Sequence, residues 1–374
     1  MAETLKSIYS EAFLQGFGDK IHAVYPSFNP EQFVTDTMDS TWEERELKAR
    51  MRQITLKLGQ QLPSTFADAV KVLYAVVEDC TGFPYLFFPD FVEVFGSNEA
   101  DWSLAMQALE RFTPKSSAEF AVRSFILRDP ERMMRQMEEW SKHDNEHVRR
   151  LASEGCRPRL PWGQALAPFK QAPAPILPIL ERLKADPSLY VRKSVANNLN
   201  DIAKDHPELV LDLAHRWKGT HPHTDWIVRH GCRTLVRKAG PAALELFGYA
   251  QASGDTPLAE SAAISVDLDT LRIGDSCELH YELTLRPGEP AKVRIEYGID
   301  FVKSSGRTSR KLFLLSDKTV PGNTKLSSSR RHSWADLTTR RHYPGEHRIA
   351  LLVNGVEVAH TLLQLSEANP DKPL

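Results

Sequence analysis

In the stretch Arg150-Leu151-Ala152-Ser153-Glu154-Gly155-Cys156-Arg157-Pro158-Arg159-Leu160-Pro161-Trp162, arginine, glutamate and tryptophan crowd around a helix-breaking turn. Helical spacing puts Arg150 and Glu154 on one face at i, i+4, and Arg157 follows three positions later. The chemistry open to such a group is electrostatic, with a carboxylate held among guanidiniums beside an aromatic ring. The same residues could form a surface salt-bridge cluster with a packed tryptophan, which would contribute little. Their density around one turn reads more like a site than a connector. Glu119 lies 35 residues before Glu154 and could reach the same groove. A glutamate in the first turn of a helix is also favoured by the helix dipole alone.

The segment Val191-Arg192-Lys193-Ser194-Val195-Ala196-Asn197-Asn198-Leu199-Asn200-Asp201-Ile202-Ala203-Lys204-Asp205-His206-Pro207 raises a second question. Asparagine is a poor helix former because its amide competes for backbone groups, so Asn197 and Asn198 in mid-helix need a reason. A polar ladder tying one helical repeat to the next supplies one. Asp201 shares a face with Asn197 and Asp205 and is open to two readings: pure architecture within that ladder, or a carboxylate amid Arg and Lys held ready for a ligand. Metal chemistry finds weaker support. His143 and His147 flank Glu146 without the HExxH order, and His221 and His223 add no evident third ligand. These read as exposed loop histidines.

The elements that must position these residues announce themselves by repetition. Val148-Arg149, Val191-Arg192 and Val228-Arg229 recur at intervals of 43 and 37 residues, each opening a helical segment, and Val122-Arg123 is a fainter copy. Repeats of about 40 residues with two helices each are the signature of a HEAT-like solenoid, whose stacked units form an extended binding surface. Amphipathic spacing over 3–17, 30–38, 41–60 and 64–79 extends the helical reading to the N-terminus, with Ser64 and Thr65 before Phe66-Ala67-Asp68 as a helix start.

From about residue 255 the period becomes two. Cys277, Leu279, Tyr281, Leu283 and Leu285 alternate with polar residues, as do Ala291, Val293, Ile295 and Tyr297. With 262–268, 310–316, 332–338, 347–353 and 356–364, about seven strands are expected, and Asn354-Gly355 is a hairpin turn. Tyr343-Pro344-Gly345 stands where a tyrosine corner would lie. The fold class is therefore an N-terminal all-α HEAT-like repeat solenoid plus a C-terminal all-β immunoglobulin-like sandwich. Its expected boundaries are 1–252 and 258–368.

The net charge of −2 conceals segregation. Residues 145–240 carry 16 Lys and Arg against 9 Asp and Glu, and residues 303–348 carry 11 against 3. Two basic zones on an otherwise acidic chain suit phosphate binding, although arginines in helical repeats also serve packing. The second zone is expected mainly in long connections between strands, around 304–311 and 327–332. The four cysteines are scattered without CxxC spacing, and Met1-Ala2-Glu3-Thr4-Leu5-Lys6 leads into no apolar stretch, which together suggest a cytoplasmic protein with reduced thiols. No uncharged apolar run reaches membrane-spanning length, so no membrane partner is expected.

The phrase Val195-Ala196-Asn197-Asn198-Leu199-Asn200-Asp201-Ile202-Ala203-Lys204-Asp205-His206-Pro207 resembles a motif of the HEAT-repeat alkylpurine DNA glycosylases. Ala23-Val24-Tyr25-Pro26-Ser27-Phe28, Glu46-Leu47-Lys48-Ala49-Arg50-Met51 and Glu154-Gly155-Cys156-Arg157-Pro158-Arg159-Leu160-Pro161-Trp162 resemble their AlkC branch. The resemblance covers residues 1 to about 250. It implies removal of cationic N-alkylated bases (3-methyladenine, with 3-methylcytosine and 1-methyladenine as further substrates) from double-stranded DNA. It also implies a base left unflipped, an abasic product, no cofactor, no metal and a monomeric protein. Such a base leaves without protonation, so the residues needed are carboxylates that stabilise an oxocarbenium-like sugar and position water. By the resemblance, Glu154 is the principal carboxylate, Glu119 a second and Asp201 a third or an orienter, while Trp162 packs on the damaged nucleotide. Arg150, Arg157, Arg159, Arg192, Lys193, Asn197, Lys204, Arg229 and Arg233 would contact DNA from the helical region. Arg307, Arg310, Arg330 and Arg331 would do so from the sandwich. From repeats and charge alone, a non-catalytic scaffold is the rival reading.

Overall fold

Side-chain oxygens set where the N-terminal helices begin. Ser10 Oγ accepts from Phe13 N at 3.2 Å and starts helix Glu11–Val24, and Asn29 Oδ1 accepts from Gln32 N at 3.1 Å ahead of Pro30–Thr37. Thr65 Oγ1 accepts from Asp68 N at 3.2 Å and starts Phe66–Val76. The computed structural model describes residues 5–250, 258–337 and 340–368. The expected helix over 3–17 is therefore corrected: residues 3 and 4 lie outside the described residues, and Leu5–Ile8 is a single 3-10 turn before the Ser10 cap. Likewise the 41–60 helix is a 3-10 turn at Trp42–Glu44 followed by Leu47–Gln61.

Helices Glu146–Gly155, Leu189–Ile202 and Pro222–Gly231 pack in sequence, the middle one touching both others. Each carries one Val-Arg pair, and Val148, Val191 and Val228 are buried between neighbours. Arg149 and Arg192 close the turn before their own helix, whereas Arg229 is exposed near the end of Pro222–Gly231. Arg149 Nη1 donates to the carbonyls of His143 and Asp144, at 3.0 and 2.6 Å. Arg192 Nη1 repeats the geometry on Asp186 and Pro187, at 2.8 and 2.7 Å. In the first two copies the phrase is thus a packing device: valine fills the seam and arginine satisfies loop carbonyls that would otherwise lack donors; the third copy keeps only the valine's part. Asn198 is the polar tie expected between repeats. It is fully buried, and its Nδ2 donates to Ser153 O at 2.8 Å.

The chain forms two compact units, Met1–Cys232 and Arg233–Leu374. That division falls earlier in the chain than the change of period. The change of period marks a change of secondary structure, whereas the short helices Arg233–Arg237 and Pro241–Leu246 go with the sheets. Tyr249 shows why: its hydroxyl donates to Asp317 at 2.8 Å, and Asn354 Nδ2 donates to the carbonyl of Ala250 at 2.6 Å.

The β region contains β1 (Ala259–Val266), β2 (Thr270–Arg272), β3 (Ser276–Leu285), β4 (Ala291–Val302), β5 (Thr308–Val320), β6 (Lys325–Ser333), β7 (Gly345–Val353) and β8 (Val356–Ser366). They form a sheet of order β1-β3-β6 and one of order β2-β8-β7-β4-β5. Their inner faces share a core that includes Leu279, Ile295, Ile349 and Trp334. Asn354 and Gly355 turn the β7–β8 hairpin with φ of 47° and 79°, as their left-handed tolerance requires. Two expectations fail. The strand expected over 332–338 is not formed as such: β6 ends at Ser333, residues 334–336 are irregular, and 338 lies outside the described residues. The basic zone also lies mostly in strands, because Lys303–Arg307 is a tight turn and the residues after it enter β5. Both β5 and β6 are edge strands, exposed enough to carry serine and arginine without alternation, which removes the period-two signal.

Beneath β6, His332 packs against Phe313 and Trp334, and its Nδ1 meets the Tyr297 hydroxyl at 3.0 Å. Burial pushes His332 down to about 4, helped by Arg340, and also lowers His342 and His347. An unfolded histidine takes up its proton near pH 6.5, whereas folded His332 does so only near 4, so the unfolded chain binds more protons in that window. Stability therefore falls as pH falls from 6.5 toward 4. Calorimetry of the full chain should show the β transition dropping by roughly 5–10 °C between pH 7 and pH 5. The drop should shrink in His332→Gln; an equal drop in that variant would point to another titrating group.

Candidate active site

Glu154 is the penultimate residue of its helix, where the negative end of the dipole disfavours a carboxylate. Two arginines compensate. Arg157 Nη1 donates to Glu154 Oε1 at 2.5 Å, and Arg150 Nη2 stands 3.5 Å from the same oxygen. The network extends both ways. Arg150 Nη1 donates to Glu119 Oε2 and, at 2.9 Å, to Ser117 Oγ, which itself donates to Glu119 at 3.0 Å. Arg157 Nε donates to Asp201 Oδ2 at 2.9 Å, and Lys204 Nζ donates to Asp201 Oδ1 at 2.8 Å. Three carboxylates are thus strung on two guanidiniums, Arg150 half-buried and Arg157 buried. Burial alone would lower both arginines, but Glu154 and Glu119 outweigh it for Arg150, and Glu154 and Asp201 for Arg157, raising each. Both remain cations, donors only.

A cleft of about 540 Å³ opens over one end of this network, lined by Phe83, Glu119, Arg150, Glu154, Trp162 and Tyr190 among others. Asp201, 2% exposed, lies behind Arg157 rather than in the cleft lining. Trp162 is 62% exposed at the rim, its ring edge-on to Phe83 at 6.3 Å. Another cavity, of about 360 Å³ in the second unit, has a single ionisable side chain, Lys238, in its lining. It offers no comparable chemistry.

The cation set divides. Lys193 and Arg229 are exposed, and Asn197 is half-buried. Arg159 is tied to Asp205, with Nη2 2.8 Å from Oδ1, and Lys204 to Asp201. Arg192 is committed to its turn carbonyls. Arg233, Arg307, Arg310, Arg330 and Arg331 belong to the second unit; all are exposed, though Arg310 is bound by Asp300 and Glu357. Of the histidines weighed for metal, His143 Nδ1 accepts from Asn145 N at 2.9 Å and His147 packs on Tyr190. Among the described residues no group of three or more His, Cys, Asp or Glu is arranged to hold a metal.

Sequence reasoning missed Ser117 and Tyr190. Tyr190 lies under the Arg150 guanidinium, 5.0 Å from Cζ to ring centre, and its ring meets His147 at 5.4 Å. A signal existed: His147 and Tyr190 both directly precede the valine of a Val-Arg pair, so stacked repeats bring them together. Ser117 gave none, since a serine two residues from a glutamate is unremarkable in a loop.

Comparison with known proteins places this geometry among relatives. Residues 98–235 match the family model described as DNA alkylation repair enzyme, and residues 260–367 match the C-terminal Ig-like domain of the uncharacterised protein YhaZ. The YhaZ protein of Bacillus subtilis (strain 168) is 44% identical over 351 residues, 94% of this chain and 96% of that protein. The structure of Pseudomonas fluorescens alkylpurine DNA glycosylase AlkC bound to DNA containing an abasic site analog aligns with a TM-score of 0.91 at 38% identity. That alignment covers 97% of this chain and 100% of the other.

Proposed function

This chain belongs to the AlkC-type DNA alkylation repair family, and from that premise we propose that it hydrolyses the N-glycosidic bond of cationic N-alkylated bases in double-stranded DNA. The observation that carries this reading is the Glu119–Arg150–Glu154–Arg157–Asp201 network beside an aromatic-rimmed cleft. A base methylated at purine N3 or cytosine N3 already bears positive charge and departs with the bonding pair, so no general acid is required. Arginine, fully protonated at neutral pH, could not serve as one. As the bond stretches, positive charge moves to the sugar. Glu154 and Glu119, lining the cleft, stabilise that charge, and a water directed by one of them completes the substitution at C1′. An abasic site and a free base result. Asp201 holds Arg157 in place from behind. The face of Trp162 attracts the cationic nucleotide, which stays in the stack.

The expected substrates are 3-methyladenine and, by the same charge argument, 3-methylcytosine and 1-methyladenine; the working form is a monomer without cofactor. The test is incubation of the pure protein with methylated duplex, followed by chromatography of the released bases. Release of none of these bases removes the reading and leaves a DNA-binding scaffold.

Arg330 and Arg331, exposed on β6, would contact phosphates together with Arg307. Replacing both Arg330 and Arg331 by alanine should weaken DNA binding for every sequence and reduce the slope of log affinity against log salt by about 1.8, roughly 0.9 per lost contact. An unchanged slope would take this edge off the DNA.

A further inference from the structure

The faint copy of the repeat, Val122-Arg123, does not behave like the others. Where Arg149 and Arg192 each donate to carbonyls of their own turns, Arg149 also pairing forward with Asp186, the side-chain bonds of Arg123 all run forward to the segment that carries Arg157 and Trp162. Its Nη1 donates to the carbonyls of Gly155 and Arg157, at 2.8 and 2.9 Å, and its Nε donates to that of Gln164 at 2.6 Å. The side chain is 2% exposed, and burial pushes it down to about 10. A guanidinium this deeply placed and bonded only to carbonyls is expensive to keep charged. It joins the end of the Glu146–Gly155 helix to the far end of the loop.

A second cation holds the loop's crest. Lys48, on helix Leu47–Gln61, donates Nζ to the carbonyl of Trp162 at 3.0 Å and lies over the Phe120 ring at 4.7 Å. Trp162 itself has φ of 61°, the left-handed region, which a bulky residue occupies only under constraint. Such a conformation is costly and persists where its surroundings over-determine it. The loop's own turn supplies part of the constraint, since Gly163 N donates to Leu160 O and Leu166 N to Pro158 O, each at 3.1 Å, and the carbonyl ties supply the rest; the Trp162 ring touches Phe83 edge-on and is otherwise mostly in solvent.

We propose that Lys48 and Arg123 are positioning residues, a two-point clamp on the 155–164 backbone that forces Trp162 to project at the rim of the carboxylate cleft. Arg123 sets the base of the loop and with it the register of Arg157 between Glu154 and Asp201. Lys48 sets the crest. Neither need touch the damaged nucleotide. The inference rests on the role given above to Trp162.

The test uses the full chain labelled with 5-fluorotryptophan, in which the Trp162 fluorine signal is identified by its loss in Trp162→Phe. Lys48→Met, an exposed substitution that spares the core, should move the Trp162 signal and leave those of the other tryptophans in place. It should lower single-turnover release of methylated base about tenfold, the equilibrium factor for a loss of ~1.4 kcal/mol. In a Trp162→Ala background the same substitution should have an effect of about twofold or less, because residues acting through one another are non-additive. Lys48→Arg, still a donor, should restore most of the rate. Arg123→Lys keeps the charge but not the fork that spans three carbonyls, and should move the same signal. An unmoved Trp162 signal in Lys48→Met overturns the clamp. So does a tenfold loss that persists without the Trp162 ring, which would make Lys48 a DNA contact in its own right. If the wild-type protein releases no base, the glycosylase reading fails, while the fluorine signals still decide whether the clamp exists.

Discussion

Glu154→Gln should release methylated bases from duplex DNA about a thousandfold more slowly than the wild type, the upper range for removing one preorganised electrostatic group from a cleft. Glutamine keeps the shape and an acceptor for Arg157 but removes the negative charge that would stabilise the sugar cation. DNA binding should persist, because the exposed cations Lys193, Arg229, Arg330 and Arg331 are untouched. Comparison of single-turnover rates with equilibrium binding separates the two effects. Glu119→Gln, at a carboxylate tied to Arg150 and Ser117, should fall less steeply. Wild-type release by Glu154→Gln would move the principal role to Glu119.

The largest effect on stability is expected from Arg157→Met. The arginine separates Glu154, 5% exposed, from Asp201, 2% exposed, and bonds both. Its removal leaves two buried carboxylates short of a cation, a defect that typically destabilises by about 3–5 kcal/mol. Thermal unfolding followed at 222 nm should drop by roughly 10 °C. Arg157→Met with Asp201→Asn should recover part of the loss, since one uncompensated charge goes with it. A double variant no more stable than the single one would show that the arginine acts through packing, as its long stem can.

Particular residues show where sequence reasoning reached and where it stopped. Arg150 and Glu154 are legible because helical spacing is local, i and i+4 sharing a face whatever the rest of the chain does, and Arg157 follows in the turn that ends the helix, its N donating to Glu154 O at 3.2 Å. Asn198 was legible as a tie between repeats for a similar reason, since its cost in a helix had to be offset by a partner. The Val-Arg repeat disclosed the stacked helices, and the change to period two disclosed the sheets. Ser10 caps the first helix and moves its start to Glu11, a signal that amphipathic spacing alone does not carry. Edge strand β6, polar on both sides, carried no alternation to read, so its arginines were placed in a loop.

By itself the sequence determined the two-part architecture, the acidic and basic residues of the cleft, and the resemblance that gave them a chemistry. Those are consequences of local periodicity and residue type. Only the tertiary structure decided which carboxylates line the cleft and which lies behind an arginine, that Ser117 and Tyr190 join them, and that Arg123 abandons its repeat to hold a loop 32 to 41 residues away. The physical reason is distance along the chain: a guanidinium chooses among the carbonyls and carboxylates that folding brings within reach, and that choice is made between elements, not within one.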